Sequence, residues 1–219
     1  LSQLDNEWAE LLLAAKACHR DQILRNFCID EDGRHRRWAN PFGTKTGRDK
    51  PVGASFLYLP KIYRNLIQPD TGSVIALIDY EQQEPLVAAV FAGHERLLSL
   101  YAQGDLYTAL ADGGPWSTLS RKQFKRLFIS YLYGRSPASF CGDYGIDSVT
   151  AQAWGAALGE MLRPNEAWVK VKAAQAFNDG IIRSLDWQIR VEAHMRPLNL
   201  RNWPIQAAGA DILRRACFG

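Results

Sequence analysis

The chain has 219 residues, a formal net charge of +3 and 47% hydrophobic residues, enough to bury a core in one large domain or two small ones. Its longest apolar runs, at 74–78 and 85–92, are far shorter than the roughly 20 residues that span a bilayer, so no membrane segment is expected. The four cysteines are scattered without metal-ligand spacing, which favours reduced thiols over a disulfide scaffold or a zinc site.

The first part of the chain predicts one helix, a loop region and a buried strand. Apolar residues at helical spacing predict an amphipathic helix over roughly 5–26. The stretch 39–60 is rich in Gly, Pro, Lys and Thr and predicts loops with short extended pieces. The β-branched run Ser73–Asp79 then predicts a buried strand that ends in an acid.

Helices dominate after residue 80, so the fold class predicted is α+β and mainly helical. One strand is predicted, over 187–193. The predicted helices cover 85–91, 94–103 ending at Gly104, 105–112, 118–133 ending at Gly134, 148–162 capped by Ser148, 164–178, and a last one opened by Pro204.

Asp79 is the first candidate for chemistry. A carboxylate at the end of a buried strand is held rigidly and can reach a cleft, and Mg²⁺ takes oxygen ligands of this kind. An acid after a strand is more often a helix cap or part of a solvated turn. Taken alone, Asp79 is therefore a weak signal for a metal site.

The helix predicted over 118–133 carries a residue of interest at every fourth position: Arg121, Lys125, Ile129 and Tyr133. These share one slowly drifting face about 18 Å long. Its cations can neutralise phosphates and its tyrosine can stack on a base. The surrounding stretch 113–142 holds no acid, which favours a polyanion partner. Taken alone, the pattern favours an amphipathic helix with Leu127, Ile129 and Tyr131 in the core.

The segment 201–206 carries Asn202 and Gln206 four residues apart. Amide side chains with this spacing can reach base edges in a minor groove. The alternative is that Asn202 caps the helix that Pro204 opens and that Gln206 lies on its surface.

These patterns occur in an order that resembles family A (polymerase-I-like) DNA polymerases, over roughly residues 30–219. The stretch LIDYEQQE at 77–84 is similar to motif A, and 121–134 is similar to motif B, the nucleotide-binding helix of the fingers. The stretch 201–212 resembles the later Asn/Gln helix of the family. Segments 46–60 and 104–108 resemble the stretch before motif A and the acidic-His-Thr step of the fingers.

The resemblance implies a right-hand polymerase fold, with a partial palm sheet and helical fingers. The implied boundaries are a thumb-derived lead-in at 1–29, a partial palm with the motif A strand at 30–80, fingers at 81–185 and an incomplete return to the palm at 186–219.

The activity implied is DNA-directed DNA synthesis, in which two Mg²⁺ ions assist nucleotidyl transfer from a dNTP to a primer 3′-hydroxyl. Asp79 would bind the metals with the Tyr80 carbonyl, and Asp79 and Lys125 would be the catalytic residues. Glu84 would exclude a sugar 2′-hydroxyl. The implied nucleotide site consists of Gln82, Glu84, Tyr107, Arg121, Lys125, Ile129 and Tyr133. The implied contacts with primer–template DNA come from Arg48, Asn202 and Gln206.

Some positions depart from the family pattern. Ile129 stands where the family has Phe or Tyr, and Tyr107 stands where it has His. The second metal-binding Asp of the family, in motif C, would lie further along the chain than the sequence extends. The chain alone is therefore expected to be inactive. The motif A strand is expected to pack against a missing palm segment or against a second copy.

Three hypotheses remain open from the sequence. The chain is part of a DNA polymerase, a non-catalytic nucleic-acid-binding module with a polymerase fold, or a structural fragment without binding. The predicted location is cytoplasmic, in a bacterial or phage and plasmid setting, and replication, repair and mobile-element roles are all open.

Overall fold

The structure is a computed structural model that describes residues 11, 14–19, 22, 25, 27, 29–36, 38–53, 55–59, 61–192 and 194–218. The chain forms two compact units. The first unit comprises Leu1–Thr44 and Arg48–Asp79, and the second comprises Lys45–Gly47 and Tyr80–Gly219. Residues 14–19 are helical, but most of the helix predicted over 5–26 lies outside the described residues.

A small hairpin forms the regular part of the first unit. Strand β1 (Trp38–Asn40) pairs antiparallel with β2 (Lys50–Val52). These strands are the short extended pieces predicted within 39–60. Two 3-10 helices follow, at Phe56–Tyr58 and Lys61–Leu66.

The segment 73–79 is not the buried strand that the sequence predicts. It pairs with no strand among the described residues, and Val74, Leu77 and Ile78 are 89%, 89% and 92% exposed. Apolar β-branched residues favour a strand only where neighbouring strands supply hydrogen bonds and cover, and nothing in the described part of the first unit does so. Packing of this segment against other chain or a second copy stays a prediction.

Helices make up most of the second unit. Those in the described residues are α1 (Gln83–Ala92), α2 (Glu95–Gln103), α3 (Leu106–Ala111), α4 (Arg121–Leu132), α5 (Phe140–Tyr144), α6 (Ser148–Met161), α7 (Arg163–Asp179) and α8 (Pro197–Phe218). The prediction of a mainly helical α+β protein is confirmed. None of the helices in the described part of the chain is both long and apolar enough to cross a bilayer.

Side-chain caps fix where some of these helices begin, among them α4 and α6. Ser120 and Gln123 form a capping box at the start of α4, which therefore begins at Arg121 rather than near 118. The cap of α6 is Asp147 and not the predicted Ser148, because the Asp147 carboxylate accepts a hydrogen bond from the main-chain N–H of Thr150 at 2.7 Å.

The main core lies among α1, α3, α4 and α6. Its largest fully buried side chains include Trp116, Tyr107, Phe124, Phe128 and Phe140. The Trp116 indole donates a hydrogen bond to the carbonyl of Leu110 at 3.2 Å, so its one polar group is satisfied. This core supports the inner faces of α3 and α4.

Helix α8 begins at Pro197, and Pro204 lies inside it rather than opening it as predicted. A proline inside a helix removes one main-chain hydrogen bond, but Trp203, Pro204 and Ile205 are all buried, and this packing offsets the loss. Asn202 is therefore an internal residue of the helix, so the prediction that it caps the helix is wrong.

A second hairpin precedes α8. Strand β3 (Ile181–Arg183) pairs antiparallel with β4 (Gln188–Arg190), which lies within the strand predicted over 187–193. The turn between them is fixed by buried Asp211, whose carboxylate accepts hydrogen bonds from the Ser184 hydroxyl at 2.5 Å and the Asp186 N–H at 3.0 Å.

Candidate functional site

The second unit brings together five of the site residues predicted from the sequence, at the start of α1, on α3 and on the first turns of α4. They are Gln82, Glu84, Tyr107, Arg121 and Lys125.

The start of α1 is fixed on two sides. Gln82 has a left-handed backbone with φ of 52°, and its side-chain carbonyl accepts a hydrogen bond from the N–H of Leu106 at 3.0 Å. The adjacent Gln83 donates to the carbonyl of Gly209 at 3.2 Å. A Cβ at Gly209 would lie 3.0 Å from the Gln83 carbonyl oxygen, so the absence of a side chain permits this approach. Glu84, in the first turn, is thus held relative to α3 and α8.

Tyr107 lies at the centre of the cluster. It is 1% exposed, and its ring meets Phe128 edge-on at 6.0 Å between centroids. The guanidinium carbon of Arg121 lies 5.6 Å from the centroid of its ring, and the ammonium of Lys125 lies 5.5 Å from it. Burial raises the pKa of the Tyr107 phenol well above its ordinary value, and the carboxylate of Glu84 raises it further. The phenol is therefore neutral.

Asp105 belongs to the cluster although the sequence predicts no role for its side chain there. It caps α3, accepting hydrogen bonds from the N–H of Tyr107 at 2.9 Å and of Thr108 at 3.3 Å, and it forms an ion pair with Nε of Arg121. Burial raises the pKa of Asp105, but the hydrogen bonds from Arg121 and the main chain outweigh burial and hold it below its ordinary value. The Gly-Asp step before an apolar run is a typical capping signal that could have identified this residue.

The two cations face solvent at the amino-terminal end of α4. Arg121 has a side chain 52% exposed, and Lys125 is also exposed. Among the described residues, Lys125 forms no ion pair with a carboxylate. Two neighbouring cations at a helix amino terminus create a positive surface that suits a polyanionic group.

Further along α4 the predicted face becomes part of the core. Ile129 and Tyr131 are half-buried against it, and Leu127 is fully buried. Tyr133, also half-buried, ends the helix, and its N–H bonds to the carbonyl of Ile129 at 3.1 Å. The exposed cations and the amphipathic core helix are thus both features of α4.

A polar junction joins the end of α4 to α8. Arg201 donates from Nε to the carbonyl of Leu132 at 2.6 Å, and Gly134 passes close to the Arg201 side chain. The predicted DNA contacts Asn202 and Gln206 follow on α8 and are half-buried. Within the described part of the chain, Oδ1 of Asn202 is buried without a hydrogen-bond partner.

The other predicted site residues are not part of this cluster. Asp79 and Arg48 belong to the first unit, where Asp79 is exposed and Arg48 is half-buried, with its N–H donating to the Thr44 hydroxyl at 3.0 Å. Tyr80 is 46% exposed. Within the described residues, no three His, Cys, Asp or Glu side chains lie together as metal ligands would. The magnesium site predicted at Asp79 and the Tyr80 carbonyl therefore stays a prediction.

Comparison with known sequences finds DNA polymerases. No family model matches the chain. It is 26% identical over 192 residues to the DNA polymerase of Mycobacterium phage L5, covering 85% of this chain and 32% of that protein. It is 25% identical over 197 residues to the DNA polymerase of Mycobacterium phage D29, with the same two coverages. The chain thus spans about a third of the length of these curated relatives.

Comparison with solved structures finds a polymerase domain with a similar fold. The chain matches the POL domain of Pol1 from M. smegmatis, solved as a complex with DNA primer-template and dNTP, with a TM-score of 0.74 and 18% identity. The match covers 95% of this chain and 41% of that one. The resemblance to polymerase-I-like DNA polymerases is therefore confirmed, in sequence by the two phage proteins and in fold by the mycobacterial POL domain.

Proposed function

We propose that the chain is the dNTP- and primer–template-binding part of a DNA-directed DNA polymerase. The observation that carries this proposal is the pair of exposed cations, Arg121 and Lys125, on successive turns of α4 above the buried ring of Tyr107. A triphosphate is the polyanion that suits two cations placed in this way. The names of both sequence relatives, and the dNTP in the complex of the structural neighbour, support this reading.

The phosphates of the dNTP would bind at Arg121 and Lys125, with Glu84 on the side of the sugar and Ile129 and Tyr133 on the side of the base. This order follows the direction of α4, from its exposed cationic start to its half-buried end.

Primer–template DNA would contact Arg48, Asn202 and Gln206. The positions of Asn202 and Gln206 on α8 support this assignment, because amide side chains four residues apart on a helix can reach base edges in a minor groove.

Divalent metal use remains part of the proposal for the complete polymerase. Asp79 and the Tyr80 carbonyl would provide two ligands, and further carboxylate ligands would come from outside the described residues. The two-metal mechanism, the identity of Mg²⁺ and the inactivity of this chain by itself rest on the resemblance. The cytoplasmic location and a role in replication or repair also rest on the resemblance. The two phage relatives favour a phage setting.

A second candidate function is a nucleic-acid-binding module without catalysis. It is favoured by the lack of a metal-ligand group in the described part of the chain and by Ile129, which offers a base no aromatic surface.

Nucleotide binding is tested by titrating the chain with dATP and with deoxyadenosine in a calorimeter. We expect dATP to bind and Lys125→Ala to weaken it by about tenfold, because a charge-assisted contact contributes on the order of 1.5 kcal/mol. The matched control is Lys172→Ala, which removes an exposed lysine from α7. Equal affinity of the chain for dATP and deoxyadenosine would contradict the proposal.

Primer extension by the complete polymerase that contains this chain separates the two candidate functions. Extension that Asp79→Ala abolishes would establish catalysis. Salt-dependent binding of primer–template without extension is the result expected of a binding module, and for this chain alone.

A further inference from the structure

We propose that Asp105 and Tyr107 are positioning residues that hold Arg121 and Lys125 ready for a triphosphate, and that the Tyr107 hydroxyl does not itself contact the nucleotide. This inference rests on the function proposed above and assigns the chemistry within the same site.

Burial separates Tyr107 from any ligand. With 1% of its surface exposed, the residue offers an approaching phosphate nothing to touch. Its ring is packed edge-on against Phe128, and its phenol lies near enough to Glu84 for the carboxylate to affect its ionisation. A residue buried in this way influences a ligand only through the groups that cover it.

Those covering groups are the two cations. They lie at nearly equal distances from the ring centroid, 5.6 Å for Arg121 and 5.5 Å for Lys125. Both distances are within the range of about 6 Å at which a cation is attracted to an aromatic face. Residues four apart on a helix share one side, so a single ring serves both. The ring restricts both long side chains before a ligand arrives. The conformational entropy that they lose on binding is therefore smaller.

Asp105 restricts Arg121 further. Its carboxylate is fixed by two main-chain N–H groups of α3 and accepts from Nε of Arg121. This hydrogen bond is made by Nε, and no hydrogen bond of the two Nη groups is found among the described residues. A guanidinium held by Nε can offer both Nη groups to one phosphate, which a lysine in the same place cannot do.

The arrangement recognises the phosphate chain rather than the base. We therefore expect loss of the Tyr107 ring to weaken the binding of dATP and of inorganic tripolyphosphate by the same factor. The weak binding of deoxyadenosine should not change. Calorimetric titration of the whole chain with these three compounds measures the difference.

Two substitutions separate the ring from the hydroxyl. Tyr107→Leu removes the ring face, and we expect it to weaken the binding of dATP and of tripolyphosphate by about tenfold, because two long side chains must then be ordered on binding. Tyr107→Phe restores the ring without the hydroxyl and should rescue the affinity to within about twofold of the original chain. Equal losses for the two variants would show that the hydroxyl contacts the ligand and would overturn the inference.

A double-mutant cycle excludes a purely structural effect. In a chain that already carries Arg121→Ala and Lys125→Ala, Tyr107→Leu should cause no further loss of residual tripolyphosphate affinity. A loss of the same size in both backgrounds would mean that Tyr107→Leu only damages the fold. Thermal melting of each variant checks this independently.

The result also distinguishes this inference from the proposed function. If the original chain binds neither dATP nor tripolyphosphate, the proposed function fails. Suppose instead that the original chain binds both compounds, and that Lys125→Ala weakens this binding but Tyr107→Leu does not. The phosphate site is then supported, and only the positioning role of Tyr107 is overturned.

Discussion

The guanidinium of Arg201 on α8 and the carboxylate of Glu166 on α7 form a two-point ion pair, in which Nη1 lies 2.7 Å from Oε2. The two side chains are only 12% and 27% exposed, and Arg201 also bonds to the end of α4 through the Leu132 carbonyl. One ion pair therefore joins three helices of the second unit, next to the predicted DNA contact Asn202.

Breaking this pair should destabilise the second unit. Glu166→Ala leaves a mostly buried cation without its partner, and we expect the free energy of unfolding to fall by about 2 kcal/mol. The control is Glu160→Ala, which breaks the exposed pair with Arg163 and should change stability little. Chemical denaturation measures both, and equal losses would contradict the structural role of Arg201.

Gly134 should tolerate a side chain much less well than Gly93. Both have positive φ, 85° and 58°, and both follow a helix. A Cβ at Gly134 would collide with Cδ1 of Leu198 and approach Cδ of Arg201 to 3.1 Å, whereas a Cβ at Gly93 meets nothing within 4 Å. We expect Gly93→Ala to cost about 1 kcal/mol of unfolding free energy, from the backbone alone, and Gly134→Ala to cost about 3 kcal/mol. Thermal unfolding of the two variants side by side tests the difference.

The ion pair between Asp105 and Arg121 should make stability depend on pH. The pKa of Asp105 is held below its ordinary value of 3.8 in the folded protein, so the unfolded chain binds its proton first as the pH falls. The stabilisation is fully present above the ordinary value and is lost as the pH falls through the lower folded value.

Asp105→Asn isolates this contribution, since asparagine can still cap α3 but does not titrate. The difference in melting temperature between the original chain and this variant should be largest well above the ordinary pKa of 3.8 and should shrink steadily as the pH falls below it. A difference that stays constant over this range would show that the charge of Asp105 does not stabilise the fold.

Replacing Ile129 by Tyr should strengthen dNTP binding if α4 is the nucleotide helix. Ile129 is half-buried against the core, so a ring at this position would keep one edge packed and present a face to a base. Stacking contributes about 1 kcal/mol or more per base, which corresponds to at least about fivefold in affinity. Titration with dATP measures the gain, and Ile129→Ala serves as the control that has neither ring nor branch. Unchanged dATP affinity in Ile129→Tyr would place the base elsewhere.

The helical part of the fold was predictable because its signals are local. The caps at Asp105 and Ser120, and the glycines after α1 and α2, stand beside the helices that they delimit. The prediction that Pro204 opens the last helix was wrong. A proline is locally typical of a helix start, but burial of Trp203 and Ile205 keeps Pro204 inside α8. Strand β3 has three residues, too few to show a periodicity.

The candidate site was predictable in its membership but not in its geometry. Spacing alone places Arg121 and Lys125 on one face of α4. That the ring of Tyr107 lies beneath both, and that Asp105 holds Arg121, depends on the packing of α3 against α4, which no local pattern specifies. The segment 73–79 shows the opposite case, in which strong local strand propensity lacks the long-range pairing that a sheet requires.

That exposed segment is also where the chain should be easiest to cut. Its apolar side chains are open to a protease active site, and Leu77 and Tyr80 are residues that chymotrypsin-like enzymes accept beside the scissile bond. Brief digestion should therefore cut the chain first between residues 74 and 80, and the new fragment that begins near residue 80 should still contain Tyr107, Arg121 and Lys125.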